Sequence, residues 1–175
     1  NIASTAPFKR IGFLEAMDKY GSDKPDLRID LVLQDMTELV KGIDFAPFAE
    51  GNTVKAVVVE NCALARKAVD KLINEVEVIT GNKPMWFKLD ENGELAGGVS
   101  KFLTERKAAI VEALGLKPGC FVGITAGKKL AAQKTAGVLR RILGNTVPGH
   151  MDKERYEFCW IVDFPMYEIG EESGE

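Results

Sequence analysis

Tyr20-Gly21-Ser22-Asp23-Lys24-Pro25-Asp26-Leu27-Arg28 is the stretch on which the reading of this chain turns. It sets charge at Asp23, Lys24, Asp26 and Arg28 around a glycine and a proline, then runs into the apolar, strand-like residues 29–33. Upstream, Phe13, Ala16, Met17 and Tyr20 recur at helical spacing, which predicts an amphipathic helix over residues 12–20 with Gly21 as its stop. Pro25 biases Lys24 out of helical geometry, so the loop is expected to be extended there, with side chains presented on both sides. The loop therefore belongs at a helix-to-strand junction. Its four charged residues read most simply as a salt-bridged turn.

Working outward, residues 31–40 begin as a strand and residues 42–51, with Pro47, read as a linker. The β-branched run 53–59 predicts a buried strand, and Leu64, Ala68, Leu72, Ile73, Val76 and Ile79 trace the apolar face of a helix ending near Gly81. Residues 84–89 and 95–99 flank Asp90-Glu91-Asn92-Gly93-Glu94, whose Asn-Gly step signals a hairpin. Thr104 is placed to cap a helix over 105–114, closed by Gly115. Pro118-Gly119 turns the chain into a strand over 120–125, a helix follows over 128–143, and residues 144–150 read as a return linker. Asp152 is expected to cap a short turn ahead of a strand over 158–164. The alternation of strands and helices, with at least one tight hairpin, predicts an α+β fold: a two-layer sandwich with a mainly antiparallel sheet.

With 175 residues, 46% of them hydrophobic, the chain can build one compact domain with a core, or one domain carrying pieces of another. No apolar run nears the roughly 18 residues of a membrane span, and residues 1–6 lack a basic segment followed by an apolar one. The expectation is a soluble, cytoplasmic protein. Cys62, Cys120 and Cys159 are odd in number, have no CxxC spacing and have only His150 beside them, so reduced thiols are expected and neither a disulfide framework nor a metal site. The net charge of −3 hides a split. Residues 51–150 hold 15 Lys and Arg against 9 Asp and Glu, whereas residues 1–50 hold 6 against 9 and residues 151–175 hold 2 against 8. A basic middle between acidic flanks suits a phosphate-facing surface, although lysines that only solvate a surface give the same count.

A second landmark lies near the other end: Phe158-Cys159-Trp160-Ile161-Val162-Asp163-Phe164-Pro165-Met166-Tyr167-Glu168. The first stretch resembles the YGSDKPDLR signature of bacterial-type aspartyl-tRNA synthetases, and the second is similar to that family's WVVDFPLFE strand. What lies between resembles the GAD domain, the insertion that splits the catalytic domain of these enzymes. The resemblance implies a GAD/DCoH-like insert over 46–147, with flanks from a class II catalytic domain over 1–45 and 148–175. It also implies a parent that is an ATP-dependent aspartate–tRNA ligase using Mg2+, with tRNA and the rest of the synthetase chain as partners and a homodimeric state resting on segments outside this one. The class II motifs that bind ATP, Mg2+ and aspartate are absent here, so the isolated chain is expected to bind no cofactor and to be inactive. A GAD domain in the B subunit of a tRNA-dependent amidotransferase is the alternative, and a purely structural insert without RNA contact is a third reading. Residues 53–143 are expected to fold without their flanks.

Gly123-Ile-Thr-Ala-Gly127-Lys128-Lys129 looks at first like a phosphate-cradling loop, but a P-loop needs four residues between its glycines and a Ser or Thr after the lysine. An ordinary strand-to-helix turn is the better reading. On the helix that follows, Ala131, Thr135, Val138 and Ile142 are expected to form the buried stripe, leaving Lys129 with Arg140, and Lys134 with Arg141, on the opposite arc. Those four cations are the candidate tRNA-backbone ridge, with a solvated face as the plainer alternative. Trp86 and Phe87 are read as core and rim of a strand rather than as base-stacking residues. Asp23, Lys24, Asp26 and Arg28 are expected to brace the catalytic sheet, Asp163 to support the active site from a strand of that sheet, and His150 to have no catalytic part.

Overall fold

The computed structural model describes residues 5–167. The acidic tail 168–175, which the sequence leads one to expect to be frayed, lies outside them. A short strand β1 (Lys9–Gly12) leads into helix α1 (Phe13–Tyr20), which Gly21 ends in left-handed geometry at φ 65°, as expected. After the loop come β2 (Leu33–Asp35), a helical turn α2 (Thr37–Val40), β3 (Thr53–Val59) and the long helix α3 (Arg66–Thr80). Then follow β4 (Met85–Leu89), β5 (Leu95–Ala96), α4 (Ser100–Leu103), α5 (Lys107–Leu114), β6 (Phe121–Gly127), helix α6 (Lys129–Thr146) and β7 (Cys159–Val162).

Five strands form one sheet in the order β2-β3-β6-β4-β5, every neighbouring pair antiparallel. Period-2 alternation along these strands feeds two cores. Val57, Val59 and Phe121 face α3 and α6 on one side, packing with Val69, Leu72, Ile73, Leu139 and Leu143. Val54, Ala56, Phe87, Val122 and Ile124 face the other side, where Met36, Val40, Leu103, Ile110 and Leu114 cover them. The expected two-layer sandwich is therefore corrected to a sheet covered on both faces. The physical reason was already in β3 (TVKAVVV), which is apolar at both parities and so reads as a strand buried on two sides.

Other differences are local. Residues 31–40, expected to begin as a strand, form one over Leu33–Asp35, and the Asp35 carboxylate accepts the Thr37 N–H at 2.8 Å and starts the α2 turn. Thr104 caps nothing: its hydroxyl donates to the Ser100 carbonyl at 3.3 Å, and α5 begins only at Lys107. The Asp90 turn forms as expected, with Asp90 Oδ1 accepting from the Asn92 and Glu94 amides. Its second strand is cut to two residues because Gly97 and Gly98 fold the chain against Trp86, leaving no room for a side chain at Gly98. Helix α6 runs past Gly144, which was read as the start of a linker; a Cβ there would stand 2.5 Å from Ile29 Cγ2, so this glycine serves close packing.

β1 and β7 form a separate parallel pair, Lys9 opposite Cys159 through Gly12 opposite Val162. The Phe8 ring lies tilted against Phe158 and the Phe13 ring against Phe164, with ring centroids 5.4 and 5.1 Å apart. The chain leaves this pair, builds the five-stranded unit and returns. Its outgoing and returning paths are clasped by a bridge between Ile29 and Met151, and by His150 Nδ1 within 2.8 Å of Asp30 Oδ1.

β2 forms an edge of the five-stranded sheet. Ile29, Leu31, Leu33, Met36 and Val40 are all buried in its two cores. At roughly 1.5–3 kcal/mol per buried aliphatic side chain, their loss rivals the whole stability of a typical domain, about 5–15 kcal/mol. The expected independence of residues 53–143 is revised accordingly. A chain of residues 53–143 is predicted to show no cooperative thermal transition by circular dichroism, and a sharp one would mean that β2 is dispensable.

Candidate nucleic-acid interface

The signature loop lies directly on α6. A Cβ at Gly137 would stand 2.3 Å from the Gly21 carbonyl oxygen, and one at Gly21 would stand 2.2 Å from the Gln133 carbonyl oxygen. Two facing glycines thus allow the loop backbone to touch the helix backbone. Into this contact rises Arg140, only 2% exposed. Its Nε donates to the Leu31 carbonyl, and its Nη2 donates to the Asp26 and Ile29 carbonyls at 3.0 and 2.8 Å. The Tyr20 ring lies 4.9 Å from its guanidinium carbon.

Arg140 therefore does not stand on an exposed ridge with Lys129, and that expectation is corrected. The two residues do point the same way around the helix axis, but Lys129 is in the first turn, whereas Arg140 lies three turns further along, beneath α1 and the loop. The buried surface of α6 is also broader than the expected stripe: Thr135 and Ile142 are buried, Ala131 and Val138 only half-buried, and Ala132, Ala136, Leu139 and Leu143 join the core. Lys129, Lys134 and Arg141 are exposed, and among the described residues none of them is in an ion pair.

Within the loop, Arg28 donates from Nε and Nη2 to the two carboxylate oxygens of Asp26 at 2.9 and 2.8 Å. That bidentate bond holds the Asp26 carboxyl below its ordinary value. Asp23 and Lys24 take no part in a salt bridge among the described residues, so the braced turn consists of Asp26 and Arg28 alone. Asp163 lies just past the end of β7 rather than on it, exposed and in left-handed geometry at φ 59°, with its carboxylate 3.8 Å from where a Gly12 Cβ would stand. Phe87 is core, and half-buried Trp86 stacks on Phe121 with centroids 6.0 Å apart. In the glycine-rich turn, Gly123 sits within β6 under Leu139 and Thr125 Oγ1 donates to the Ala132 carbonyl at 2.8 Å, which are packing roles.

Sequence reasoning missed Lys55. It is 2% exposed and bonded to Asp18 of α1 and to Asp35 of β2, the latter at 3.0 Å. Burial opposes its charge, but the two carboxylates outweigh that and hold the ammonium above its ordinary value. The detectable signal was a lysine interrupting a β-branched strand. Among the described residues no group of three or more His, Cys, Asp or Glu is placed to hold a metal, and no helix is long and apolar enough to cross a membrane.

Comparison with known proteins fits this geometry into a class. Residues 1–173 match the family of class II tRNA synthetases (D, K and N), and the chain belongs to that family. More particularly, it is 42% identical over 172 residues to an aspartate–tRNA ligase of Streptococcus suis, covering 97% of this chain and 29% of that protein. It is 41% identical over 175 residues to the aspartate–tRNA ligase of Streptococcus pneumoniae, covering 99% of this chain and 30% of the relative. The Streptococcus thermophilus enzyme of the same name is 41% identical over 172 residues. The chain thus spans about three tenths of the length of the curated relatives it matches.

Replacing Arg140 by Met leaves the Ile29 and Leu31 carbonyls without a donor, each costing about 1–3 kcal/mol, while the Asp26 carbonyl keeps the Ile29 amide. The expected loss in urea denaturation is at least about 2 kcal/mol. A loss smaller than the cost of one orphaned carbonyl would show that water replaces the guanidinium.

Proposed function

We propose that this chain is part of an ATP-dependent aspartate–tRNA ligase, comprising an inserted domain and the catalytic-domain strands that flank it. The observation that carries the reading is the parallel pairing of β1 with β7. Strands from opposite ends of the chain lie side by side, so everything between them is an excursion from one sheet, as an insertion requires. The likeness to aspartate–tRNA ligases on both sides of that excursion supports the same reading.

In this reading the whole enzyme joins aspartate to the α-phosphate of ATP, releasing pyrophosphate, and passes the aspartyl group to the terminal adenosine of its tRNA. The groups that would hold ATP and Mg2+ are read as belonging to parts of the enzyme other than this segment, so no step is routed through the ion here. What this segment contributes is a rigid platform beside the catalytic sheet. Lys129, Lys134 and Arg141, on the exposed side of α6, are its candidate contacts to the tRNA backbone. Such contacts add affinity through counterion release and carry no base information.

Two outcomes are predicted. The isolated chain shows no aspartate-dependent exchange of pyrophosphate into ATP above a no-enzyme control; exchange would mean that it holds a complete active site. In the intact protein, changing Lys129, Lys134 and Arg141 to Glu raises KM for tRNA about tenfold or more while leaving pyrophosphate exchange unchanged. Unaltered aminoacylation in a properly folded variant would favour a purely structural insert.

A further inference from the structure

Between the signature loop and α6 lies a cleft of about 120 Å³, its wall formed by Tyr20, Ser22, Lys24, Val138, Arg140 and Arg141. We propose that this cleft is a subsite for a single phosphate group. The RNA origin of that phosphate rests on the reading above; the subsite itself does not.

Size is the first argument. At about 120 Å³ the cleft has room for a small anion such as phosphate together with water. Charge is the second. Three cations line the cleft against one carboxylate, that of Asp26, and both of its oxygens are already engaged by Arg28. Lys24 and Arg141 are exposed, and among the described residues neither is in an ion pair. The third is Arg140. Its hydrogen bonds all leave from Nε and Nη2, and among the described residues Nη1 has no hydrogen-bond partner. All its acceptors are neutral carbonyls, so a buried positive charge stands behind the cleft without a bonded counter-charge. Such a charge is costly to bury, and an anion placed against it recovers part of that cost through charge-assisted bonds.

The loop is shaped for the same purpose. Ser22 Oγ accepts the Lys24 amide at 3.0 Å, which curls the loop over the cleft and leaves the hydroxyl proton available to an anion. The Gly21–Gly137 contact forms the cleft floor and brings the loop close enough for Lys24 and Arg141 to close on one ligand. Lys129 and Lys134, on the same helix, do not line the cleft and provide an internal control.

The test is titration of the intact protein with inorganic phosphate at constant ionic strength, followed by calorimetry and by phosphorus NMR line width. Lys24→Ala/Arg141→Ala is expected to weaken phosphate binding about tenfold or more, and Lys129→Ala/Lys134→Ala to change it by less than about twofold. Equal binding by the parent and the Lys24/Arg141 variant, or no saturable binding by the parent, overturns the subsite. A short RNA duplex distinguishes the sources. If it competes with phosphate and loses affinity in the Lys24/Arg141 variant, the phosphate is RNA's. If phosphate binds but RNA does not, the subsite stands for free phosphate and the RNA reading falls. If RNA binds both proteins equally and phosphate binds neither, the subsite falls and the RNA reading survives.

Discussion

The fold depends on Arg140 and the three carbonyls it gathers. Residues 22–32 cross from α1 to β2 with only an isolated bridge and no ladder of their own, yet their path runs over a buried helix. Buried backbone acceptors must find donors, and here a single planar side chain from α6 supplies them to Asp26, Ile29 and Leu31. Hydrogen bonds to a charged donor contribute about 1.5–3 kcal/mol each, while burying the guanidinium costs several kcal/mol. The two sums nearly cancel. What the arrangement provides is therefore a single path for the loop, since no neutral side chain reaches three carbonyls spread over six residues.

Lys55 performs the corresponding task on the other side of α1. It joins Asp18 of the helix to Asp35 of the edge strand from the middle of β3. Between them the two buried cations fasten α1 and the signature loop to the five-stranded unit, and His150 with Asp30 closes the returning path beside them. The excursion that begins after β1 is accordingly welded to α1 rather than hinged at the loop. Substitutions in α6 far from the β1–β7 pair will be felt there, because α6 shares a backbone contact with the segment leading out of it.

Much of this was legible. Long periodic segments gave α1, α3, α6 and β3, and the Asn-Gly step gave the β4–β5 turn, because each rests on local physics. Most of the misses share one cause, which is distance along the chain. Nothing within a few residues of Arg140 says that carbonyls more than a hundred positions away will arrive over it, so helical periodicity put it on the same side as Lys129 without showing that this side is covered at Arg140. Gly144 reads as a breaker until Ile29 packs against it, and Gly97 and Gly98 shorten a strand only because Trp86 lies beneath them. Lys55 and the second core were missed for a different reason: β3 is apolar on both faces, and one-sided burial was assumed. In the candidate site, the Asp26–Arg28 pair was readable from spacing, whereas the cleft needed the loop and α6 together.

The charge split takes on a different meaning once these contacts are known. A basic middle and acidic flanks suggested an outward surface, yet part of that opposition is internal pairing. Lys55 belongs to the basic middle, and its partners Asp18 and Asp35 belong to the acidic first fifty residues. His150 and Asp30 cross the same boundary. The asymmetry is thus partly the mark of an excursion stitched to its own flank, and counting charges by segment overstates what faces solvent. The exposed cations outside any ion pair among the described residues are divided among several elements, Lys67 and Lys71 on α3 and Lys101 on α4 among them. Lys24, Lys129, Lys134 and Arg141 are exposed and outside any ion pair among the described residues, and all four lie on α6 or on the loop resting against it. Uncompensated cations scattered over a surface would only keep it solvated. Lys24 and Arg141 differ from the rest in lining one cleft with a buried guanidinium whose Nη1 edge has no partner among the described residues, and that convergence is what singles out this place for a phosphate.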